Sequence, residues 1–370
     1  MATKTFDNAK KNKADEFYTQ WVDIEREVNA YLEYNPNVFK DKIILCPCDD
    51  PYESNFFKYF ALHFNNLGLN KLIATCYIGS PIASTQLTLF DDEPEDNKTT
   101  KVPHKIEVVE VNDFNQDGAV DLRDIEWILE NKKNALTRLE GDGDFRSDEV
   151  KKLRDEADII ITNPPFSLFR EFIAWIMEAK KQFLVIGTIN AISYREVFPL
   201  IKDNRMWLGL AFGRSFQGFI VPKSYPLSGS EARIDEHGNR IVSTNNTIWF
   251  TNLEHGRRHQ PLQLMTMADN LKFSKHKEIR GKESYDKYDS YDAIEVPFTD
   301  AIPSDYDGAM GVPISFLHKY CPEQFEILDG IGRYSMLTGP TEETKGTYQT
   351  MVNGKPKFAR IVIKRIGGKQ

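Results

Sequence analysis

The first half of the chain alternates short apolar segments with longer amphipathic ones, and this alternation constrains the fold more than any other sequence feature. Apolar runs of strand length occupy 42–48, 71–78, 105–111, 157–166 and 182–187. Apolar residues at helical spacing occupy 15–32, 55–67, 122–131, 147–157 and 167–181. Strand–helix–strand repetition is typical of an α/β fold. We therefore expect a doubly wound, mostly parallel, Rossmann-like sheet over residues 1–203.

The second half differs in character. From residue 204 onward the chain has short strand-like pieces, many Gly and Pro residues and few long helices. This change predicts a domain boundary near residue 204, followed by an α+β region over residues 204–370.

Composition and cysteine usage restrict the class of protein. No run of about 18 apolar residues is present, and the N-terminus lacks an apolar signal segment, so we expect a cytoplasmic protein without a membrane partner. Four cysteines are widely spaced, which argues against a disulfide framework. Cys46 and Cys48 form a Cys-x-Cys pair, but no second Cys or His pair lies at zinc spacing, so the sequence predicts no zinc site.

The charge distribution leaves a nucleic-acid partner open. A net charge of -8 argues mildly against nucleic-acid binding, but basic stretches lie in the C-terminal half. Residues 257–282 contain seven Lys or Arg against two acids, and 353–370 contain six and no acid. These stretches are either a phosphate-facing surface or ordinary solvated faces. The candidates for contact with nucleic-acid phosphates are Arg257, Arg258, Lys272, Lys275 and Lys277.

The strongest chemical signal is the tetrapeptide Asn163-Pro164-Pro165-Phe166. It follows an apolar run and precedes a helix, which places it at the carboxyl end of a strand, where open α/β sheets bind ligands. The Asn163 side-chain oxygen and the Pro164 carbonyl can each accept one N–H of an aromatic amine. The two prolines stiffen the turn, and Phe166 offers a face for a planar base.

This tetrapeptide resembles the (D/N/S)PP(Y/F/W) catalytic motif of amino-methyltransferases. The resemblance implies that the amine lone pair is drawn toward a tetrahedral form and aimed at a methyl donor. No strong base is required, because the donor is a reactive sulfonium and positioning supplies much of the rate. RNA and protein glutamine methyltransferases share the motif, so it does not by itself decide the substrate.

Longer segments resemble the EcoRI-type adenine-specific DNA methyltransferase family between about Asp15 and Phe325. They are CDDPYESNFFKYF, GDGDFRSDE, DIIITNPPFSLFREFI, WFTNLEHGRRHQPL and YDAIEV…IPSDYDGAMGVPISFL, in the family's order. The resemblance implies a methyltransferase sheet, S-adenosyl-L-methionine as cofactor, and methylation of adenine N6 in duplex DNA with the target base flipped out. It also suggests a monomer with a C-terminal target-recognition region, the recognition sequence GAATTC, and a cognate restriction endonuclease in a restriction-modification or DNA-protection system.

The same resemblance implies the cofactor contacts. The turn after the first strand is where methyltransferases bind the methionine part, and the segments 17–19 and 143–145 resemble two further cofactor motifs. The implied residues are Phe17, Tyr18, Thr19, Cys48, Asp49, Asp50, Pro51, Ser54, Asn55, Phe56, Asp144 and Phe145. The chain departs from the broader pattern in two places: it lacks a glycine-rich FxGxG loop, and no acid ends the second strand.

A segment between the two halves of the sheet matches the spacing of a calcium-binding loop. The oxygen ligands would be Asp113, Asn115, Asp117, Asp121 and Asp124, with Gly118 at the sixth position. An Asx-rich turn that caps the following helix is the competing interpretation.

Three other functions fit the sequence less well. A cytosine C5 methyltransferase needs a Pro-Cys nucleophile, but Pro47-Cys48 lies where the cofactor loop belongs. An RNA or protein amino-methyltransferase is the stronger alternative, although the basic C-terminal stretches favour a nucleic acid. A calcium-stabilised DNA-binding module without activity is opposed by the intact Asn-Pro-Pro-Phe motif.

Overall fold

The computed structural model describes residues 18–76, 103–131, 136–212, 216–221, 232–235, 238–242, 246–289, 291–330, 351–357 and 359–367. The chain divides into two compact units, one taken from 1–191 and 209–253 and the other from 192–208 and 254–370. No helix in the described ranges is both long enough and apolar enough to cross a bilayer.

Among its described residues, the first unit has six helices and eleven complete strands. It also contains most of a further strand, β8 (Trp207–Phe212), whose first two residues, Trp207 and Leu208, belong to the second unit. The helices are α1 (Trp21–Tyr34), α2 (Asn55–Leu62), α3 (Phe64–Leu67), α4 (Leu122–Asn131), α5 (Asp148–Glu156) and α6 (Phe169–Glu178). The strands are β1 (Tyr18–Thr19), β2 (Ile43–Cys46), β3 (Lys71–Thr75), β4 (His104–Val108), β5 (Leu136–Arg138), β6 (Ile159–Thr162), β7 (Gln182–Thr188), β8 (Trp207–Phe212), β9 (Phe219–Val221), β10 (Ala232–Ile234), β11 (Arg240–Val242) and β12 (Thr247–Thr251). Short 3-10 turns occupy Phe166–Leu168 and Ile189–Ser193.

One large sheet organises this unit, with the strand order β5-β4-β3-β2-β6-β7-β12-β8. Its centre is parallel: β2 pairs with β3 and β6, and β6 pairs with β7. Strands β4, β5 and β12 run antiparallel to their neighbours β3, β4 and β7. The expected α/β sheet is therefore confirmed as a mixed sheet with a parallel centre. The central strands are buried because their side chains are almost entirely apolar.

Local sequence explains where several helices begin and end. The Ser147 hydroxyl accepts a hydrogen bond from Val150 N and caps α5, and acids occupy the first turn of that helix. After α3 the chain reverses at Gly68 with a φ of 64°, a left-handed conformation that glycine adopts at little cost. Both boundaries agree with the sequence-based expectation.

The start of the first helix differs from expectation. The periodicity of 15–32 predicts a helix from Asp15, but the helix begins at Trp21. Tyr18 and Thr19 instead form β1, which pairs antiparallel with Ile220 and Phe219 of β9. The strand pairing with residues about 200 positions away outweighs the local preference for a helix. Helix propensity alone does not predict such a long-range contact.

The second unit has α+β character over its described residues. Its helices are α7 (Phe198–Lys202) and α8 (Met267–Phe273), with 3-10 turns at Gly256–His259, Thr299–Ala301 and Ile314–Lys319. Its strands are β13 (Ala293–Glu295), β14 (Ala309–Pro313), β15 (Phe325–Asp329), β16 (Met351–Val352), β17 (Lys355–Pro356) and β18 (Arg360–Arg365). Four of them form a sheet in the order β13-β14-β18-β15.

The predicted boundary near residue 204 does not coincide with the division into compact units. Strand β12 lies beyond it, yet it pairs with β7 in the large sheet. The assignment of catalysis to residues 1–203 and of target recognition to residues 204–370 stays a prediction.

Candidate active site

The ends of two parallel strands bring the main candidate residues to one edge of the large sheet. Strand β2 ends at Cys46 and leads into Asp49 and Asp50, whereas β6 ends at Thr162 and leads into Asn163. The two strands are direct neighbours, with Leu45 opposite Ile160. The carboxyl ends of parallel strands face the same way, so the two predicted segments lie side by side.

Asp49 joins the two strand ends through hydrogen bonds. Its carboxylate accepts one from the Thr162 hydroxyl at 2.5 Å and one from the Ser54 hydroxyl at 2.6 Å. Ser54 in turn accepts bonds from the amides of Phe56 and Phe57 and caps α2. All three side chains of this network are buried. Buried charge-assisted hydrogen bonds of this kind fix geometry strongly.

The Asn-Pro-Pro-Phe turn lies directly after this anchor. Asn163 and Pro165 are half-buried, whereas Pro164 and Phe166 are buried. The Phe166 ring packs edge-on against Phe219 of β9 at a centroid distance of 6.0 Å. The turn is therefore held from both sides, by Asp49 through Thr162 and by β9 through Phe166. The role of Phe166 in stacking on a base stays a prediction.

The described part of the predicted N-terminal cofactor segment lies beside the same edge. The Asn55 amide donates a 2.8 Å hydrogen bond to the carbonyl of Thr19, which ties β1 to the start of α2. Strand β1 pairs with β9, the strand that contacts Phe166. Two segments that resemble cofactor motifs, separated by some 36 residues, therefore meet in the structure. Phe17 lies outside the described residues.

The buried hydroxyl of Thr19 fits a polar ligand. Among the described residues it has no hydrogen-bond partner, and a buried polar atom left in this state is costly unless a ligand or water satisfies it. Together with the N-terminus of α2, it offers S-adenosyl-L-methionine a hydrogen-bonding contact and a place for a carboxylate. The role of these residues in cofactor binding stays a prediction.

Asp144 and Phe145 already have close partners. Asp144 forms an ion pair with Arg146 at 2.7 Å, and the Arg146 hydrogen bond lowers the pKa of the Asp144 carboxyl. Arg146 also forms an ion pair with Glu171 in the first turn of α6. The Phe145 ring is buried against Phe172 of α6, with centroids 5.1 Å apart. This packing ties the segment to α6, and its contact with the cofactor adenine stays a prediction.

Asp50 belongs to a separate buried cluster. It lies with Cys76 and His104, and one ligand atom of each lies within 4.8 Å of the others. Burial raises the pKa of the Asp50 carboxyl, and the Tyr52 amide and the nearby His104 partly oppose this effect. Sequence reasoning missed Cys76 and His104, because their partner lies in a different strand-end loop.

The structure does not support the predicted calcium loop. The Asp124 carboxylate accepts hydrogen bonds from the backbone amides of Phe114, Asn115 and Asp121. Asp117 and Asp121 both pair with Arg123, at 2.5 and 2.6 Å. No group of three or more carboxylate, Cys or His ligands converges there within the described ranges. The loop is the Asx-rich turn of the competing interpretation, and Asp121 precedes α4 as its cap.

The five basic candidates fall into two groups. Lys272, Lys275 and Lys277 are exposed on and after α8. Arg258 is only 6 % exposed and its guanidinium lies 3.9 Å from the centroid of the Trp207 ring. Burial also lowers the pKa of Arg258, although Glu254 lies 3.2 Å away.

Arg258 is therefore placed to hold the second unit together, and its burial argues against the predicted phosphate contact. Arg257 is half-buried, with a nitrogen 2.5 Å from His318 Nε2.

Sequence reasoning also missed two further candidate residues, one in each unit. Thr162 ends an otherwise apolar strand, and a hydroxyl at that position is the signal that marks it. Phe273 is a 61 % exposed aromatic at the end of α8, next to Lys272. A large exposed apolar side chain among lysines is a signal for a nucleic-acid surface.

Comparison with known proteins agrees with this arrangement. The family model for the adenine-specific methyltransferase EcoRI matches residues 5–366. The chain is 44% identical to the Type II methyltransferase M.EcoRI of Escherichia coli, over 98% of this chain and 96% of that protein. It is 33% identical to M.MpnI of Mycoplasma pneumoniae and 34% identical to M.MgeORF184P of Mycoplasma genitalium, over 97% of this chain and 98% of each relative. No solved structure matches the chain.

A match of this extent explains why the Asn-Pro-Pro-Phe turn and the segments that resemble cofactor motifs occur in the family's order. The motif follows the carboxyl end of β6, the edge at which open α/β sheets bind ligands, and membership of a methyltransferase family implies S-adenosyl-L-methionine as methyl donor. The chain belongs to the EcoRI family of adenine-specific DNA methyltransferases.

Proposed function

We propose that the carboxyl edge of β2 and β6 holds a flipped adenine of duplex DNA for methylation at N6. The observation that carries this proposal is the hydrogen bond between Thr162 and Asp49, which fixes Asn163 at the edge beside the predicted cofactor segments. A base inside a duplex cannot reach such a buried edge, so its extrusion is part of the proposal.

Asn163 and Pro164 orient the amine. The Asn163 side-chain oxygen and the Pro164 carbonyl each accept one N–H of the adenine amino group, and the nitrogen lone pair then points away from both acceptors. When bound, S-adenosyl-L-methionine supplies an electrophilic methyl group. The amine loses one proton after transfer, and the Asn163 oxygen is the nearest acceptor while that proton leaves toward solvent. Phe166 limits the tilt of the base by its fixed contact with Phe219.

Thr19, Ser54 and Asn55 hold the cofactor in this proposal. Asn55 fixes the Thr19 carbonyl, and the Thr19 hydroxyl remains available to a ligand. Ser54 caps the N-terminus of α2 by accepting from the Phe56 and Phe57 amides, and the positive end of the helix dipole favours a carboxylate nearby. Asp49 contributes indirectly because both its oxygens accept hydrogen bonds from Ser54 and Thr162.

Lys272, Lys275, Lys277 and Phe273 are the DNA contact that we propose in the second unit. The three lysines are exposed, and the Lys272 ammonium lies 4.9 Å from the centroid of the Phe273 ring. Lysines neutralise phosphates, and an exposed aromatic ring contacts a base or a deoxyribose. Lys275 pairs with Asp300 at 2.6 Å, a bond that a phosphate would compete for.

In the cell, we propose that the enzyme acts as a monomer and protects its own recognition site from a cognate endonuclease. GAATTC is the first recognition site to test, because the chain is similar to M.EcoRI over nearly its full length.

The decisive experiment measures transfer of labelled methyl to duplexes with and without GAATTC, followed by digestion of the DNA to nucleosides. We expect N6-methyladenine from the wild-type protein. Asn163→Ala should lose about 100-fold or more in rate, the cost of removing one oriented polar group at a reacting centre. Asn163→Asp keeps an oxygen acceptor and should retain measurable activity.

Label in RNA or protein but not in DNA would overturn the DNA proposal. Equal activity of Asn163→Ala and the wild type would remove Asn163 from the mechanism.

The DNA surface is tested by the salt dependence of duplex affinity. Each phosphate contact contributes about 0.9 to the slope of log K against log salt, so Lys272→Ala, Lys275→Ala and Lys277→Ala should each reduce the slope by about that amount. Phe273→Ala should weaken binding without changing the slope. Val109, which is 63 % exposed on the first unit, supplies the matched control Val109→Ala. Unchanged affinity in Phe273→Ala would rule out the aromatic contact.

A further inference from the structure

Three strand ends bring a carboxylate, a thiol and an imidazole together at the edge of the large sheet. Asp50 follows β2, Cys76 directly follows β3, and His104 begins β4. Strands β2 and β3 are parallel and β4 is antiparallel to β3, so the end of β3 and the start of β4 lie at the same edge. All three side chains are buried.

The backbone holds this cluster in place before any ligand binds. The Cys76 amide donates a hydrogen bond of 3.1 Å to the carbonyl of His104. The side chains continue the contact, with Cys76 Sγ 3.2 Å from His104 Nδ1. One oxygen of Asp50 accepts a bond from the Tyr52 amide at 2.9 Å, and the Tyr52 ring meets the His104 ring edge-on at 6.2 Å. The bond from the Tyr52 amide is the kind of contact that orients a ligating carboxylate.

We propose that Asp50, Cys76 and His104 bind one Zn²⁺ ion, with a fourth coordination position left open to water. A thiolate, an imidazole and a carboxylate form the mixed ligand set that Zn²⁺ accepts in tetrahedral sites. One ligand atom of each already lies within 4.8 Å of the other two. On binding, the Cys76 thiol releases its proton to solvent and the thiolate binds the metal.

Metal binding requires the side chains of this cluster to rotate. With Zn–S near about 2.3 Å and Zn–N near about 2.0 Å, a tetrahedral angle separates sulfur and nitrogen by about 3.5 Å. Cys76 Sγ lies 3.2 Å from His104 Nδ1 and 3.5 Å from Nε2, so it is nearly equidistant from the two ring nitrogens. Metal binding therefore requires a rotation of the Cys76 or His104 side chain that turns one nitrogen lone pair toward a metal position shared with the sulfur. This assignment gives Asp50 to the metal instead of to the cofactor.

The sequence did not indicate this site. Cys76 and His104 are separated by 28 residues, and neither belongs to a Cys-x-x-Cys or His-x-x-x-His spacing. Cys46 and Cys48, the pair that does stand out by spacing, do not join the cluster.

The test is a titration of the metal-free, reduced protein with Co²⁺, which reports thiolate ligation by its spectrum. We expect saturation at one equivalent, a near-ultraviolet sulfur-to-cobalt charge-transfer band, intense visible bands of tetrahedral coordination, and displacement by Zn²⁺. Cys76→Ser should lose the charge-transfer band. Cys48→Ser, the matched control in the neighbouring loop, should keep it. His104→Gln should keep the band but weaken Co²⁺ affinity by about 10-fold or more.

Absence of the band in the folded wild-type protein overturns the proposal, as does its persistence in Cys76→Ser. If Cys76→Ser fails to give a folded circular dichroism spectrum, His104→Gln decides: unchanged Co²⁺ affinity there rules the site out. The readout is independent of methyl transfer, so failure of the metal site and failure of the proposed catalytic role of Asn163 are distinguishable.

Discussion

The hydroxyl of Thr162 donates a 2.5 Å hydrogen bond to the carboxylate of Asp49, and this bond joins the ends of β6 and β2. Thr162 immediately precedes Asn163, and Asp49 lies in the loop that leads to the capped N-terminus of α2. One buried contact thus couples the candidate catalytic turn to the candidate cofactor loop.

Thr162→Val tests this coupling. Valine keeps the shape of the side chain but removes the hydroxyl donor. One oxygen of the buried Asp49 carboxylate then loses this hydrogen bond. We expect kcat for methyl transfer to fall by about 10-fold or more, the equivalent of about 1.4 kcal/mol, together with a modest loss of stability.

The matched control for this change is Thr251→Val. Thr251 is equally buried, and its hydroxyl donates a 2.8 Å bond to the Phe183 carbonyl within the same sheet. It should lower the melting temperature to a similar degree and leave kcat unchanged. A wild-type kcat in Thr162→Val would show that the bond does not position the turn.

Asn55→Ala tests the link between β1 and α2. The change removes the 2.8 Å bond to the Thr19 carbonyl, so β1 loses its tie to the cofactor loop. We expect the Kd for S-adenosyl-L-methionine, measured by calorimetry, to rise by about 10-fold, which corresponds to about 1.4 kcal/mol.

Asn65→Ala serves as its control. Asn65 donates a bond of 2.7 Å to the Val111 carbonyl, the same chemistry in α3. Similar losses of cofactor affinity in both variants would indicate general destabilisation and contradict a specific role for Asn55.

Arg258→Lys distinguishes a structural arginine from a DNA contact. Arg258 stacks on Trp207, pairs with Glu254 and bonds the Asn204 side chain at 3.1 Å, and a lysine cannot keep this geometry. We expect a loss of unfolding free energy of about 2 kcal/mol in urea titrations and no change in the salt slope of DNA binding. A reduced slope at unchanged stability would restore the phosphate-contact interpretation.

His255 predicts an acid-sensitive second unit. Its Nε2 donates to the Leu208 carbonyl at 3.0 Å, and burial lowers the pKa of the imidazole from 6.5 to about 4. The unfolded chain therefore binds this proton more readily than the folded one. Stability from the neutral ring is complete above the unfolded pKa and is lost as the pH falls through the window toward the folded pKa.

As the pH falls from about 8 to about 5, we expect protonation linked to His255 to lower the unfolding free energy by about 2 kcal/mol. Urea unfolding at both pH values measures it, and His255→Gln should show a correspondingly smaller difference. An equal loss in the variant would assign the acid sensitivity to other groups.

Local sequence determined the parts of this protein that depend on neighbours in the chain. The apolar run 159–162, the Pro-Pro turn and the Ser147 cap appear in the structure as a buried strand, its end and a capped helix. These features follow from side-chain periodicity, fixed proline φ angles and short-range hydrogen bonds. The family motifs, read in order, likewise identified the adenine-specific methyltransferase family.

Only the tertiary structure decided which distant groups meet. Thr19 leaves its predicted helix because β9 offers a pairing partner, and Arg258 is withdrawn from solvent because Trp207 covers it. Thr162 forms a hydrogen bond with Asp49, which is 113 residues away in the sequence. Cys76, after β3, contacts His104 at the start of β4. These contacts depend on strand order and burial, which no local pattern encodes, because each strand end acquires its chemistry from the neighbour that the sheet places beside it.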